Sequence, residues 1–262
     1  MPRAPRHGEP YAFVPPKWIR DQHEIALTLA WICHRKLWGQ TYAALQPDFF
    51  WGMPQDGGVL LRPVATTSRI VAGARRPGDI DLLVIPYHGR ELILERTLAI
   101  EIKAIRASFA KQGKSPNDFG NTQAEGLTTL GFPYVALVHL IVSDVSPQHA
   151  WRMMGMAEIL DSSGRARILP PAPHDMLPFD LMDRALGRLV ANSRNPSHGL
   201  GAVYLNKWSA ESKSFDLEGY WFPNCRRAER NKVVAHDLLQ NVGQYYLKNA
   251  SSFLVTPRYD PE

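Results

Sequence analysis

The chain has few cysteines and no long apolar segment. Its two cysteines, Cys33 and Cys225, lie far apart and neither belongs to a CxxC pair, which argues against a zinc knuckle or a disulfide framework. The most continuous apolar segment, Val135 to Val142, has only the length of a strand and contains His139, so it is too short to cross a bilayer. The N-terminus has arginines and prolines but no apolar stretch, unlike a secretory signal. We therefore expect a cytoplasmic protein with no membrane partner.

Charge of one sign is only slightly in excess, and several common catalytic motifs are missing. The 30 basic and 25 acidic residues give a net charge of +5 at pH 7, which allows a nucleic-acid partner without requiring one. The sequence contains no Gly-x-Ser-x-Gly elbow, no Walker loop and no Gly-x-Gly-x-x-Gly turn, and His23-Glu24 lacks the second histidine of a zinc-protease helix. These absences direct attention to the other charged residues.

The segment from Pro77 to Lys103 places charged residues in two apolar, strand-like runs. The first run begins with Asp79-Ile80-Asp81, and the second ends with Ile100-Glu101-Ile102-Lys103. Charge inside a buried strand is costly unless it is paired or binds a metal. The acids and the lysine of these runs are therefore the candidate site residues of the chain.

Strand geometry predicts how these groups meet. Side chains alternate along a strand, so Glu101 and Lys103 share one face, as do Asp79 and Asp81. Because Mg²⁺ is usually held by one or two carboxylates with water and substrate phosphate, we expect Asp81 and Glu101 to hold a metal. The Ile102 carbonyl is a further ligand candidate, and Asp79 is a competing one that also suits a turn. Lys103 would orient or deprotonate the attacking water, or stabilise developing charge. The alternative is a cross-strand salt bridge on an exposed sheet face.

These motifs, together with a following helix that carries Gln123, resemble the PD-(D/E)XK nuclease superfamily over roughly residues 20–142. The resemblance implies that Asp81 and the Glu101-Ile102-Lys103 motif form the metal-dependent active site. It further implies that Glu24, on the first helix, is another metal-binding acid and that Gln123 assists catalysis. Leu127 stands where the glutamine-bearing branch often has a tyrosine, so that branch is matched only in part.

The resemblance implies an α/β fold with a mixed β-sheet flanked by helices, in the αβββαβ order of a restriction-endonuclease-like core. The residue pattern predicts the same order, with a helix over 21–38 and strands over 59–63, 79–85, 91–94 and 97–102, then a helix over 121–130 and a strand over 134–142. We expect an extended arm over 1–17, the nuclease core over 18–146 and a C-terminal α+β extension over 147–262 that completes the domain or contacts substrate or partner. That extension is predicted to contain helices over 148–160, 180–190 and 225–247, and a hairpin formed by 199–208 and 215–222.

Together these features predict a Mg²⁺- or Mn²⁺-dependent deoxyribonuclease acting on DNA. The basic residues Arg106, Lys111 and Lys114 follow the site and could contact the phosphate backbone, or lie on a solvated loop. Restriction, anti-phage defence, mobile-element processing and DNA repair stay open as roles, as do a homodimer and an activating protein partner. The alternatives are a non-cleaving nucleic-acid-binding or scaffold module on the same fold, and an interaction protein whose acids only form salt bridges.

Overall fold

A computed structural model describes residues 4–5, 9–74, 77–116, 118–206, 208–209, 214–215 and 223–258. The α-helices in these parts of the chain are Pro16–Arg20 (α1), Glu24–Cys33 (α2), Arg35–Leu45 (α3), Pro47–Gly52 (α4), Asn121–Thr129 (α5), Leu177–Asn192 (α6) and His236–Asn249 (α7). The strands are Gly57–Thr66 (β1), Asp79–His88 (β2), Glu91–Leu92 (β3), Leu98–Arg106 (β4), Tyr134–Val142 (β5), Arg152–Met154 (β6), Ala157–Ile159 (β7), Ala166–Ile168 (β8), Ala172–His174 (β9), Gly199–Tyr204 (β10), Trp208–Ser209 (β11), Ser214–Phe215 (β12), Asn224–Arg226 (β13) and Leu254–Pro257 (β14).

One large mixed sheet of eight strands organises the fold. Its strands lie in the order β13-β10-β5-β4-β2-β1-β14, with β3 paired to β2. Strands β1, β2 and β4 pair antiparallel, whereas β4, β5 and β10 pair in parallel. Strands β10, β13 and β14 follow residue 147 and lie at both ends of this sheet, so much of the C-terminal part belongs to the same sheet as β1 to β5.

Helices cover both faces of the sheet and form two main cores. On one face Trp31 and Trp38 of α2 and α3 pack with Ile100 of β4. On the other face Leu127 of α5 and Val242 of α7 pack in the second core. Each fully buried apolar side chain contributes about 1.5–3 kcal/mol, and strands covered on both faces are apolar throughout. A charge on β4 therefore lies in a setting that strongly disfavours it.

His34 divides the predicted first helix into two. It has φ −82° and ψ 85°, which is not helical, and its Nδ1 accepts a hydrogen bond of 3.1 Å from the Leu37 amide. The prediction of one helix over 21–38 is wrong because this side chain caps α3 at a new start. The predicted start of this helix at residue 21 is also wrong, since His23 accepts from the Ile25 amide at 3.3 Å and Glu24 becomes the first residue of α2.

Other predictions are confirmed near the site and fail beyond it. The strands over 79–85, 97–102 and 134–142 and the helices over 121–130 and 180–190 are confirmed. The predicted helix over 148–160 is wrong, because this segment contains a short 3-10 turn and the strands β6 and β7. The helix predicted over 225–247 begins only at His236, after β13. The predicted hairpin of 199–208 with 215–222 is wrong for β10, which pairs with β5 and β13 instead, and residues 216–222 lie outside the described residues. In the helices that the structure describes, none combines the length and apolar character needed to span a bilayer.

Candidate active site

Asp81 and Glu101 lie on neighbouring strands at the point where their pairing ends. The antiparallel pairing of β2 with β4 runs from Val84–Leu98 to Leu82–Ile100. One residue further along, the Asp81 carboxylate accepts a hydrogen bond of 2.7 Å from the Ile102 amide. The Asp81 side chain thus accepts a hydrogen bond from a backbone amide that would otherwise pair with the backbone of β2. This hydrogen bond holds Asp81 of β2 against β4.

This hydrogen bond also orients the Ile102 carbonyl. In a strand the N–H and C=O of one residue point to the same side, as in the antiparallel pairs that exchange both bonds. Since the Ile102 amide points to Asp81, its carbonyl faces the same gap between β2 and β4. Ile102 can therefore offer an oxygen next to the two acids.

Glu101 and Lys103 form an ion pair within β4. The Lys103 ammonium donates to the Glu101 carboxylate at 2.7 Å, and their side chains are 18% and 4% exposed respectively. In the parallel register with β5, Glu101 lies opposite Leu137 and Lys103 opposite His139. The ion pair is thus located in the middle of the sheet, away from its edges.

Burial and mutual repulsion change the protonation of the two acids. Burial raises the pKa of Asp81, while the Ile102 amide and the Lys103 charge oppose that rise. Burial also raises the pKa of Glu101, which the neighbouring Asp81 charge raises further, to about 8. Each of the two carboxyl groups thus influences the pKa of the other. Without a cation they therefore share a proton near neutral pH, as buried neighbouring carboxyls do.

Lys103 has the opposite behaviour. Burial alone would lower its pKa, but the hydrogen bond and charge of Glu101 outweigh burial, and the pKa of Lys103 is raised. The charges of Glu24 and Asp81 act in the same direction. Lys103 is therefore a charged hydrogen-bond donor at neutral pH, which favours charge stabilisation over proton abstraction.

Glu24 reaches the site from the first turn of α2. Its carboxylate accepts a hydrogen bond of 2.9 Å from the Ala104 amide, next to Lys103 in β4. Burial raises the pKa of Glu24, the Lys103 charge lowers it, and the Asp81 charge raises it again. The structure thus brings Glu24 into the electrostatic surroundings of Asp81 and Lys103, although the residue is far from them in sequence.

The start of α5 lies directly against Glu101. Gly120, which precedes α5, has φ +82°, and a Cβ there would lie 2.7 Å from Leu137 Cδ1 and 3.0 Å from Glu101 Cγ. Glycine is the residue that permits both this backbone conformation and this approach. Gln123, in the first turn, donates to Asp118 at 3.3 Å, while its Oε1 is buried without a hydrogen-bond partner among the described residues. Gln123 is thus close to the site in the fold, with its described hydrogen bond directed to Asp118.

Asp79 lies at the edge of the group. It is the exposed first residue of β2 and pairs with Thr66 of β1. Its charge contributes to the raised pKa of Asp81, and within the described ranges no hydrogen bond or ion pair reaches its carboxylate. The structure thus brings Asp81, Glu101, Lys103 and Glu24 together and leaves Asp79 outside.

Two further residues lie beside the site and were not predicted from the sequence. His139 is fully buried opposite Lys103, its Nε2 lies 3.5 Å from the Phe119 carbonyl, and burial lowers its pKa to about 4. Its position as the one polar residue of an apolar run was the available signal. Val64 has φ +53°, and the β1–β2 register places it opposite Asp81. A β-branched residue rarely adopts this conformation, and nothing local in the sequence indicates it.

The donor set fits a hard divalent cation. In the described part of the chain, no group of three His, Cys, Asp or Glu side chains is gathered as a metal site. A buried carboxylate, Glu101, a half-buried one, Asp81, and a carbonyl are nevertheless present, and Mg²⁺ commonly takes one or two carboxylates and completes its shell with water and phosphate. Comparisons of the chain with protein-family models, with curated proteins and with solved structures found no match.

Proposed function

We propose that this protein is a metal-dependent endonuclease that hydrolyses phosphodiester bonds in DNA. One observation carries the proposal: the buried carboxyl of Glu101 and the half-buried carboxyl of Asp81 lie beside the charged amine of Lys103. Two acids forced together in a buried place repel each other unless one keeps its proton. A divalent cation between them would remove that repulsion, and a phosphodiester group would bring the anionic ligand that Lys103 can bind.

Asp81, Glu101 and the Ile102 carbonyl would hold Mg²⁺ or Mn²⁺. Such an ion, when bound, lowers the pKa of a water ligand and offsets charge on the phosphoryl group. Glu101 must first release the proton that its raised pKa retains. Lys103 donates hydrogen bonds to the oxygens on which negative charge develops. A donor that is already in position stabilises that charge in the transition state, and this is usually the largest single contribution to catalysis.

The surrounding residues hold these groups in place. Glu24 accepts from the Ala104 amide and so fixes the backbone of β4 directly after Lys103. Gln123 is a candidate accessory residue at the start of α5, where its buried Oε1 is free to accept a hydrogen bond. Asp79 is the weakest of the metal candidates because its side chain is exposed at the start of β2.

The order of elements supports the resemblance to the PD-(D/E)XK superfamily. Helices α2 to α4 are followed by β1, β2 and β4, then by α5 and β5, which corresponds to αβββαβ when α2 to α4 are taken as the first helical segment and the two-residue β3 is set aside. Strand β5 lies parallel to β4, as expected when a helix connects them. The restriction-endonuclease-like core is thus part of this proposal.

Cleavage of supercoiled plasmid and of single-stranded DNA tests the proposal. We expect cutting with Mg²⁺ or Mn²⁺, none with EDTA, and loss of cutting in Glu101→Ala. The matched control is Glu158→Ala, which removes an exposed glutamate paired with Arg167 and should cut like the wild type. Full activity in a Glu101→Ala, Lys103→Ala double variant would overturn the proposal.

A non-cleaving nucleic-acid-binding module is the second candidate. The ion pair of Lys103 with Glu101 and the hydrogen bonds of Asp81 and Glu24 to backbone amides are complete without a metal, so they can serve the fold alone. Calorimetric titration with Mn²⁺ separates the two functions. A saturable site lost in Asp81→Asn favours the nuclease, and a folded protein that binds DNA without such a site favours the module.

A further inference from the structure

One face of α6 leads from the loop after β4 to the candidate active site. Arg184, Arg188 and Asn192 are spaced four residues apart, so they lie along one side of the helix. The Asn192 carbonyl accepts a hydrogen bond of 3.1 Å from the side chain of Asn121. Asn121 directly follows Gly120, the residue packed against Glu101. The two arginines therefore occupy the turns of α6 that approach the site.

The loop after β4 adds two lysines along the same face. Arg184 donates to the Gln112 side chain at 2.9 Å, and Arg188 donates to the Lys114 carbonyl at 3.1 Å. These bonds hold the loop against α6, while the side chains of Lys111 and Lys114 are exposed. Four cations are thus brought into one row by long-range contacts.

In the described part of the chain, no acid neutralises Arg184 or Arg188. Within the residues that the structure describes, no carboxylate forms an ion pair with Arg184 or Arg188, and their hydrogen bonds go to neutral oxygens. Asp180, one turn before Arg184, pairs with Arg152 instead. Burial lowers the pKa of the half-buried Arg188, and the Arg184 charge lowers it further. Like charges held together without a counter-charge stabilise a bound polyanion.

We infer that Arg184 and Arg188, with Lys111 and Lys114, bind the phosphodiester backbone of a nucleic acid and lead it to the Asp81–Glu101 site. The inference rests on the proposed nuclease function for its substrate. An extended row of cations on an open surface suits a chain of phosphates better than one small anion, which needs an enclosed site. Contacts of this kind position the strand without reading its sequence.

Salt-dependent binding tests the inference. The affinity of a fluorescein-labelled DNA duplex would be measured by anisotropy in EDTA, at several salt concentrations, for the full chain. The logarithm of the binding constant falls with the logarithm of salt by about 0.9 per phosphate contact in duplex and about 0.7 in single strands. We expect the Arg184→Gln, Arg188→Gln double variant to bind DNA more weakly than the wild type. The slope of its binding constant against salt should decrease by about 1 for each arginine removed.

A second pair of arginines provides the matched control. Arg165 and Arg167 are exposed, but each is paired with a carboxylate, Asp161 and Glu158 respectively. Arg165→Gln, Arg167→Gln removes the same formal charge and should leave the salt slope unchanged. Equal loss of slope in both double variants would show that only net charge matters and would overturn the inference.

A charge-conserving variant excludes a purely structural role. Arg184→Lys, Arg188→Lys keeps both charges but not the fork geometry that reaches Gln112 and the Lys114 carbonyl. We expect it to keep the wild-type salt slope whatever its thermal midpoint. If it loses the slope as the glutamine variant does, the arginines act by holding the loop and the inference fails.

Failure of the inference and failure of the nuclease proposal give different results. Metal-dependent cutting with an unchanged slope in the glutamine variant would overturn the inference alone. The wild type could show a steep salt slope that the glutamine variant loses, while the wild type cuts DNA under no metal condition. That result would support the inference and favour the non-cleaving module. Tighter binding of RNA of the same sequence would support the phosphate-binding site and indicate RNA as the substrate. Binding of neither DNA nor RNA would overturn the inference.

Discussion

The Glu101 carboxylate accepts a 2.7 Å hydrogen bond from Lys103, two residues along the same strand, while it also lies next to Asp81. The single cation cannot neutralise both acids, and Glu24 adds a third acid nearby. Full ionisation would therefore leave excess negative charge in a poorly solvated part of the sheet, where it is costly. This imbalance determines how the protein should respond to pH and to cations.

The stability of the metal-free protein should fall as pH rises from about 5 to about 8. The folded state keeps one proton on the Asp81–Glu101 pair up to about pH 8, whereas an unfolded glutamate releases it near its ordinary pKa. Since the folded state then binds more protons than the unfolded state, stability decreases with rising pH, by at most about 1.4 kcal/mol per pH unit for one proton. Urea unfolding in EDTA across this range measures the effect.

Glu101→Gln should flatten this pH profile, because the amide does not titrate. The variant should equal or exceed the wild type in stability at pH 8. The control variant Glu158→Gln changes an exposed glutamate. Its stability should depend on pH in the same way as that of the wild type. Parallel profiles for wild type and Glu101→Gln would show that Glu101 titrates normally in the folded state.

Divalent cations should bind with release of a proton at neutral pH. A bound cation requires the ionised form of Glu101, whose pKa of about 8 keeps it largely protonated at pH 7. Calorimetry with Mn²⁺ in buffers of different ionisation enthalpy should detect up to one proton released at pH 7 and little at pH 9. A cation at a hundred times its dissociation constant should stabilise the fold by about 2.7 kcal/mol. Equal heats in all buffers would contradict this coupling.

Lys103→Met should remove catalysis and leave cation binding intact. Loss of one preorganised donor typically lowers turnover by about 10²- to 10³-fold. The variant also loses the positive charge that competes with a cation for Glu101, so Mn²⁺ affinity should stay the same or increase. Plasmid cleavage and calorimetry check the two effects, with the exposed Lys248→Met as the control. Loss of both properties together would indicate a damaged site instead.

Gly120→Ala should destabilise the protein, whereas Gly187→Ala should not. The Gly120 backbone is left-handed and a Cβ would lie within 3.0 Å of Leu137 and Glu101 side-chain atoms, which should cost about 1–3 kcal/mol. Gly187 lies inside α6 with no atom within 4 Å of a new Cβ, so alanine there should stabilise the helix by about 0.5–1 kcal/mol. Thermal unfolding of both variants measures the contrast, and an unaffected Gly120→Ala would contradict the close packing of α5 on Glu101.

Local patterns in the sequence were sufficient for the strands that carry the site. The apolar runs around Asp81 and Glu101 predict β2 and β4, and the alternation of side chains places Glu101 and Lys103 on one face. Predictions failed where a single side chain decides the backbone, as at His34, which caps α3 and ends α2. They failed again where apolar residues are not buried, as in β6 and β7 with their exposed side chains.

The sequence by itself determined the apolar strands and the charges they carry, because these depend on neighbours a few residues away, whereas β2 and β4 continue to His88 and Arg106, beyond their predicted ends. Only the tertiary structure decided that Glu24 binds the Ala104 amide, that Gly120 packs against Glu101, and that Arg188 joins the loop at Lys114. These contacts join residues far apart in the chain, and no local periodicity encodes them. They form because apolar faces of α2, α5 and α6 are buried on the sheet, and the residues at the ends of those helices are carried with them.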